Sequence, residues 1–419
     1  MIDVLEEKVR QMVYRCTRCG YCRLMFRARD NTERVCPLMD TTSGFELYTA
    51  RGRNWIARQI FEGKLGIEKM TQDAINAIYA CFICGSCTEH CLVLDPRSWE
   101  RFPENVYDDH LIINDEITRY LRSLIIEAGK PPSEIREILR NYQHFNNPYG
   151  KPREKRGEWV NMLDFKVKNI AEEGGETLLY TGSIAPYDER AVKALLAIAK
   201  TLKLANVDYG ILGSQEIDSG AEVYDLGEFG LFEEFAKQNL EIFKKYGISR
   251  IITISPHDYN VFKKYYPMFF KEDWSKLNIE VQHYTQVIAE AIENKKLKIK
   301  ANLSDKKVTY HDPCYLGRKN SIYRDPRIII SSTGANLIEM KLSRHNSYCC
   351  GGGGGGKWYR PPERTRAEVE RVKQAKETGA EILVVACPIC LTMLEDGSKT
   401  AGVDIKLMDV AELLMTVIQ

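Results

Sequence analysis

The chain has 419 residues, 59 Lys and Arg against 58 Asp and Glu, and 44% hydrophobic with 10% aromatic residues. A net charge of +1 gives no electrostatic basis for holding nucleic acid or an anionic membrane, and the apolar content excludes a disordered chain. The longest nearly uncharged apolar run, Ile382 to Leu394, is short of the roughly 20 residues that span a bilayer, and MIDVLEEKVRQ does not read as a signal peptide, so a cytoplasmic protein is expected.

The N-terminal part, residues 1–110, is dominated by cysteines. Of 13 in the chain, eight precede residue 92 and five follow residue 313. An odd count in two groups, without a secretion signal, argues for metal or redox sites rather than a disulfide framework. The spacings are Cys16-x2-Cys19-x2-Cys22 and Cys81-x2-Cys84-x2-Cys87-x3-Cys91, with Cys36-Pro37 between them. A triplet at this spacing wraps one four-iron cube, and the fourth thiolate comes from the other set in two-cluster ferredoxins. Cys16, Cys19, Cys22 and Cys91 are therefore assigned to one 4Fe-4S cluster, and Cys81, Cys84, Cys87 and Cys36 to a second. Structural zinc, the competing reading, usually shows paired C-x2-C knuckles instead. Leu92 stands where the ferredoxin pattern has proline.

Residues 111–170 read as a charged helical linker (DEITRYLRSLIIEAG, then PPSEIREILRNY). Its basic stretch KPREKR (151–156) is a solvated surface or a contact face, with Tyr149 and Trp159 anchoring the join. Beyond it, short β-branched runs alternate with amphipathic helices: LLYT (178–181), DERAVKALLAIAKTLKLA, VDYGIL and SRIITI (249–254). A second pass follows with KVTYHDP, NLIEM, a helix from about Pro362 to Glu377, EILVVA (381–386) and AELLMTVI. This alternation predicts βαβ units with parallel strands. The fold class is thus a multidomain α+β and α/β protein: a mainly helical two-cluster ferredoxin-like domain, then a duplicated α/β module over 171–300 and 301–419.

Aligning Gly247 with Gly379 and Pro256 with Pro388 gives an offset of 132, and Gly220 with Gly351 gives 131, so the register is nearly constant. Ser183 then falls opposite Cys314, Asp218 and Ser219 opposite Cys349 and Cys350, and Ser255 and Asp258 opposite Cys387 and Cys390. One copy keeps five thiolates and the other has oxygen groups in their place, which removes its affinity for soft iron-sulfur chemistry. In the second copy the cysteine loops leave the carboxyl edge of a parallel sheet, where such folds place ligands, so five distant cysteines converge. The run Gly351 to Gly356 is either a flexible linker or, given its place after Cys349 and Cys350, a backbone able to approach a bulky cofactor. A redox disulfide or apolar packing is the alternative for the vicinal pair. No G-x-G-x-x-G fingerprint follows a strand, so flavin or nicotinamide is expected on another subunit.

These residues resemble the D subunit of heterodisulfide reductase and its relatives, which include the K subunit of the sulfite-reductase-associated membrane complex and the iron-sulfur subunits of glycolate, lactate and glycerol-3-phosphate oxidising enzymes. The resemblance runs through HDPCYLGR, SYCCGGGGG and ACPICLTMLEDG over nearly the whole chain, as a ferredoxin module and two CCG modules. It implies that Cys314, Cys349, Cys350, Cys387 and Cys390 bind a catalytic four-iron cluster, cubane or noncubane, at which a disulfide is reduced or thiols oxidised. The first CCG module departs from the pattern with TGS, EIDSG and SPHDYN, so the thiolates of a second facing cluster are missing. His311 and Lys357, beside these loops, are candidate proton donors, although a single His or Lys near a strand end is usually just hydrogen-bonded or solvated. The function expected is an oxidoreductase subunit passing electrons through two 4Fe-4S clusters to the CCG cluster. The alternative is an electron relay between a flavin-dependent dehydrogenase and a quinone- or ferredoxin-linked partner. Expected partners are other subunits of a redox complex, among them a flavoprotein, a small-molecule disulfide or thiol, and a membrane cytochrome on which the chain docks peripherally.

Overall fold

Capping threonines start the helices that organise the N-terminal region. Thr49 accepts a hydrogen bond from the Gly52 amide at the head of α2 (Ala50–Phe61), and Thr71 from Ala74 at the head of α3 (Gln72–Tyr79). Together with α1 (Ile2–Arg15), α2 packs on α4 (Asn114–Glu127). The computed structural model describes residues 2–23, 34, 36–97 and 107–418; positions 98–106, near the end of the ferredoxin-like region, lie outside them. The linker that follows is no tether. Thr118, Arg119 and Arg122 of α4 are wholly buried, and α4 forms a spine against which the rest of the chain is assembled. The guanidinium of Arg122 donates to the carbonyls of Ile78, Tyr79, Cys81, Asp225 and Gly354, tying three regions of sequence to one cation.

After α5 (Ser133–Phe145) the basic stretch turns partly inward. Arg156 is 1% exposed and donates to the Glu216 carbonyl at 2.6 Å, and Trp159 is buried, so this part of KPREKR is an internal strut rather than a solvated run. Tyr149 meets the Trp358 ring edge-on at 5.1 Å, joining the linker to the C-terminal module.

Both C-terminal modules are parallel α/β layers, as the alternation predicts. Strands β1 (Lys168–Asn169), β2 (Thr177–Tyr180), β3 (Gly210–Ile211), β4 (Arg250–Thr253) and β5 (Glu280–His283) pair in the order β1-β3-β2-β4-β5. In the second sheet β6 (Lys307–Tyr310), β7 (Asn336–Leu337), β8 (Ile382–Val385) and β9 (Lys406–Asp409) pair as β7-β6-β8-β9. Removing the edge strand β1 leaves the same order in both, β3-β2-β4-β5 matching β7-β6-β8-β9, which is the duplication expressed in topology. Every residue of β8 is buried, as a parallel strand covered on both faces requires.

The helices covering these sheets are α6 (Ala191–Leu204), α7 (Phe229–Lys245), α8 (Pro256–Asn260) and α9 (Tyr284–Glu293) in the first, then α10 (Arg324–Ser332), α11 (Ala367–Glu377), α12 (Pro388–Ala401) and α13 (Val410–Met415) in the second. The helix expected from Pro362 begins five residues later. Arg364 instead folds back to cap the carbonyls of Ala80 and Tyr359. Across the module interface Arg190 pairs with Glu395 and Glu412, and the Tyr284 hydroxyl donates to Asp409 at 2.8 Å. Among the described residues no helix is long and apolar enough to cross a membrane.

Candidate iron-sulfur sites

The two ferredoxin-type loops share one backbone design. The second residue after the first cysteine of each, Arg18 and Ile83, has φ of 57° and 53°, and the glycine that follows the second cysteine, Gly20 and Gly85, has φ of 88° and 72°. Such left-handed turns aim successive amide N-H groups into a concavity suited to an anion, and they explain why a non-glycine residue is held in a costly conformation twice at equivalent places. Cys16, Cys19, Cys22 and Cys91 line one cavity with Asn54, whose amide lies 3.6 Å from the Cys16 sulfur. Cys19 is exposed. Cys36, Cys81, Cys84 and Cys87 are buried and sense one another electrostatically, as a second group. Between the groups sits Arg53, wholly enclosed, donating to the Tyr48 carbonyl at 2.8 Å and the Thr118 hydroxyl at 3.0 Å within the electrostatic field of Cys81, Cys36, Cys87 and Cys22.

The third group is built by the second module. The Cys350 and Cys390 sulfurs are 3.3 Å apart, and a donor atom of His311 lies within 4.8 Å of both. Cys349 accepts from the Gly351 amide at 3.3 Å and lies in hydrogen-bonding reach of Cys314, Cys350 and Cys84. Cys387 contacts Cys390 and, across the module interface, His257; burial raises its pKa, but these contacts outweigh it and bring the thiol down to about 5. All five cysteines, from three separate loops, therefore converge. Soft thiolates in this number, shielded from solvent, fit an iron-sulfur cluster.

His311 is fixed in one tautomer. Arg371, fully buried, donates from Nε to His311 Nδ1 at 3.1 Å, which leaves the imidazole proton on Nε2, on a ring whose nitrogen lies within 4.8 Å of the Cys350 and Cys390 sulfurs. Burial holds the His311 pKa below its ordinary value. Lys357 is placed elsewhere: its ammonium bonds the Thr392 hydroxyl at 2.9 Å and pairs with Asp188 at 3.6 Å. The glycine run is neither a linker nor open to a cofactor along its length. A Cβ on Gly354 would stand 2.8 Å from the Cys81 carbonyl, and one on Gly352 2.5 Å from Ile389, so the run is bare because protein presses on it.

In the cysteine-free module the aligned residues also converge, as a closed polar network. Ser183 donates to Asp218 and Ser219 to Asp258, each at 2.5 Å. Ser183, Asp218 and Asp258, with Glu222, His257, Gly353 and Ile389, line a cavity of about 20 Å³, space for about one water. His257 was not singled out by the sequence, because its neighbour Asp258 held the aligned position; the signal available was its place inside the loop matching the Cys387 loop.

Residues 12–93 match the 4Fe-4S dicluster domain family and residues 308–395 the cysteine-rich CCG domain family. The chain therefore carries two 4Fe-4S clusters and a further iron-sulfur cluster. It is 36% identical over 346 residues to the probable iron-sulfur-binding oxidoreductase FadF of Bacillus subtilis, covering 80% of this chain and 46% of that protein. It is 29% identical to the EtfAB:quinone oxidoreductase of Syntrophomonas wolfei, covering 95% of this chain and 57% of the relative. With the D subunit of the dihydromethanophenazine:CoB-CoM heterodisulfide reductase of Methanosarcina barkeri it shares 27% identity, covering 95% of this chain and 92% of the relative. The chain thus spans about half the length of the first two.

Proposed function

We propose, for a chain that belongs to the iron-sulfur proteins joining a 4Fe-4S dicluster domain to a CCG cysteine-rich domain, that it is an electron-transfer subunit. It relays electrons between a flavin-dependent dehydrogenase and a quinone- or ferredoxin-linked partner. The observation that carries this reading is the continuity of the three cysteine groups: one opens to the surface at Cys19, the second lies behind it, and Cys84 of the second touches Cys349 of the third. Bound clusters supply one-electron oxidation and reduction at each group. The protein's own residues fix the sequence of groups, through Arg53 between the first two and Arg318 between the second and third. Arg318 donates to the Cys84 carbonyl at 2.8 Å and to the His345 carbonyl at 3.1 Å.

Residues 1–110 hold the two 4Fe-4S groups in this reading, with Cys16, Cys19, Cys22 and Cys91 as one ligand set and Cys36, Cys81, Cys84 and Cys87 as the other. The third set is drawn from Cys314, Cys349, Cys350, Cys387 and Cys390 in the module 301–419. The names of two relatives support the choice of partners, one being an EtfAB:quinone oxidoreductase and another an oxidoreductase. Freeze-quench electron paramagnetic resonance (EPR) after mixing with a reduced electron-transferring flavoprotein tests it. The first two clusters become reduced before the third; reduction of the third alone overturns the relay.

Disulfide reduction at the third group is the second reading, and two observations favour it. Five thiolates are kept where four suffice for a cluster, and His311 presents an N-H group toward them.

A further inference from the structure

The first module has exchanged every aligned cysteine for an oxygen group, yet one of its side chains reaches the cysteines of the other. His257 sits in α8, four residues beyond the end of β4, at the position that Ile389 holds in the second module. It is 8% exposed, and neither ring nitrogen has a hydrogen-bond partner of any kind. It lines one cavity with Pro388 and Ile389, the two residues that follow Cys387, and the Cys387 thiol acts on it electrostatically. Two features hold the ring there. Tyr315, the residue after Cys314, lies parallel to within 30° at a centroid distance of 4.0 Å, and Gly353 leaves space on which a Cβ would come within 3.5 Å of His257 Nε2. Behind it, the Ser219 to Asp258 bond closes the rest of the loop, so the histidine is the group of that loop that the first module turns on the third cysteine set. A buried imidazole without a partner is costly, and a neighbouring thiolate sulfur is an acceptor that can satisfy it.

We propose that His257 donates an N-H hydrogen bond to the Cys387 sulfur, so that the cysteine-free module contributes one residue to the site of the third cluster and sets its reduction potential. Hydrogen bonds to cluster and ligand sulfurs spread negative charge and favour the reduced state. The retained module is thereby more than packing surface: it completes the electrostatic surroundings of its twin. His257 is a positioning and tuning residue, not a ligand, because the second module supplies five thiolates by itself. The inference rests on Cys387 belonging to the third cluster and is independent of the direction of electron flow.

The test is a redox titration of the anaerobic full chain, followed by EPR at all three clusters, in wild type, His257→Phe and His257→Gln. Phenylalanine keeps the stacking on Tyr315 and removes the donor; glutamine keeps a donor. The expected result is a shift of the third cluster's reduction equilibrium toward the oxidised state in His257→Phe by at least about tenfold, about 59 mV for one electron. The two 4Fe-4S potentials stay fixed and His257→Gln shifts less. Equal potentials for the third cluster in wild type and His257→Phe, with iron content intact, overturn the proposal. Loss of the third cluster in His257→Phe and its full retention in His257→Gln support it. Its loss in both, with the 4Fe-4S signals intact, refutes it in favour of a purely structural histidine. A Cys387→Ser variant separates the two claims: if it retains the third cluster unchanged, the ligand assignment fails first.

Discussion

The thiol of Cys84, in the ferredoxin-type half, lies within hydrogen-bonding reach of Cys349, in the C-terminal module, and this contact brings the Cys84 pKa down to about 6. Residues 265 positions apart in sequence thus bring two redox groups into contact through a pair of sulfurs. Replacing Cys84 by serine is expected to lower bound iron by roughly a third, since one four-iron set of three is lost. Reduction of the third cluster through the first slows at least about tenfold, because the link between them is cut. Iron analysis and stopped-flow absorbance check both.

Arg122 satisfies five carbonyls from three regions with one buried guanidinium. Arg122→Met leaves those acceptors without a donor and is expected to cost more than about 3 kcal/mol of stability. The exposed Arg136→Met serves as control and changes stability by less than about 0.5 kcal/mol. Thermal unfolding of the two variants distinguishes a hub from a surface charge.

Glycines of similar backbone conformation carry different loads. Gly379 has φ of 72° and open space where a Cβ would go, so Gly379→Ala loses only the conformational preference, about 1 kcal/mol. Gly354 has φ of 57° with Ile83 2.7 Å from the same point, so Gly354→Ala must also push the Cys81 loop away. We expect several times the cost of the first variant and a disturbed EPR signal from the second 4Fe-4S cluster. Unfolding midpoints and spectra of the pair decide it.

Burial, reinforced by the neighbouring carboxylate of Asp218, pushes the Asp258 pKa up from 3.8 to about 8. The folded chain therefore holds a proton that the unfolded chain releases from about pH 4 upward. The stability contributed by this proton is complete below pH 4 and is lost as pH rises toward 8. Asp258→Asn removes the dependence: relative to wild type the variant gains stability between pH 4 and pH 8, most at the upper end. Denaturant titrations at both pH values measure it.

Much of this organisation is legible in the sequence because spacing and periodicity are local. The triplets around Cys16 and Cys81, the strands at LLYT, SRIITI, KVTY and ILVV, and the register placing Ser183, Asp218, Ser219 and Asp258 opposite cysteines all emerge from short windows. Long-range contacts do not. That α4 is a buried spine depends on Arg119 and Arg122 finding partners more than 100 residues away, and its charged residues read as solvent-facing in isolation. The glycine run reads as space for a cofactor because nothing local records that Cys81 and Ile389 press on it. Lys357 looks placed for chemistry only until Asp188 and Thr392 are seen beside it. His257 escapes notice because its role depends on a cysteine in the other module.

The relay claim is tested most directly by EPR of the oxidised third cluster, recorded with and without low-molecular-weight thiols and disulfides. An unchanged line shape and no disulfide-driven reoxidation of the reduced protein are expected. A thiol-dependent signal that disappears in Cys350→Ser would contradict it and establish a substrate site at that cluster.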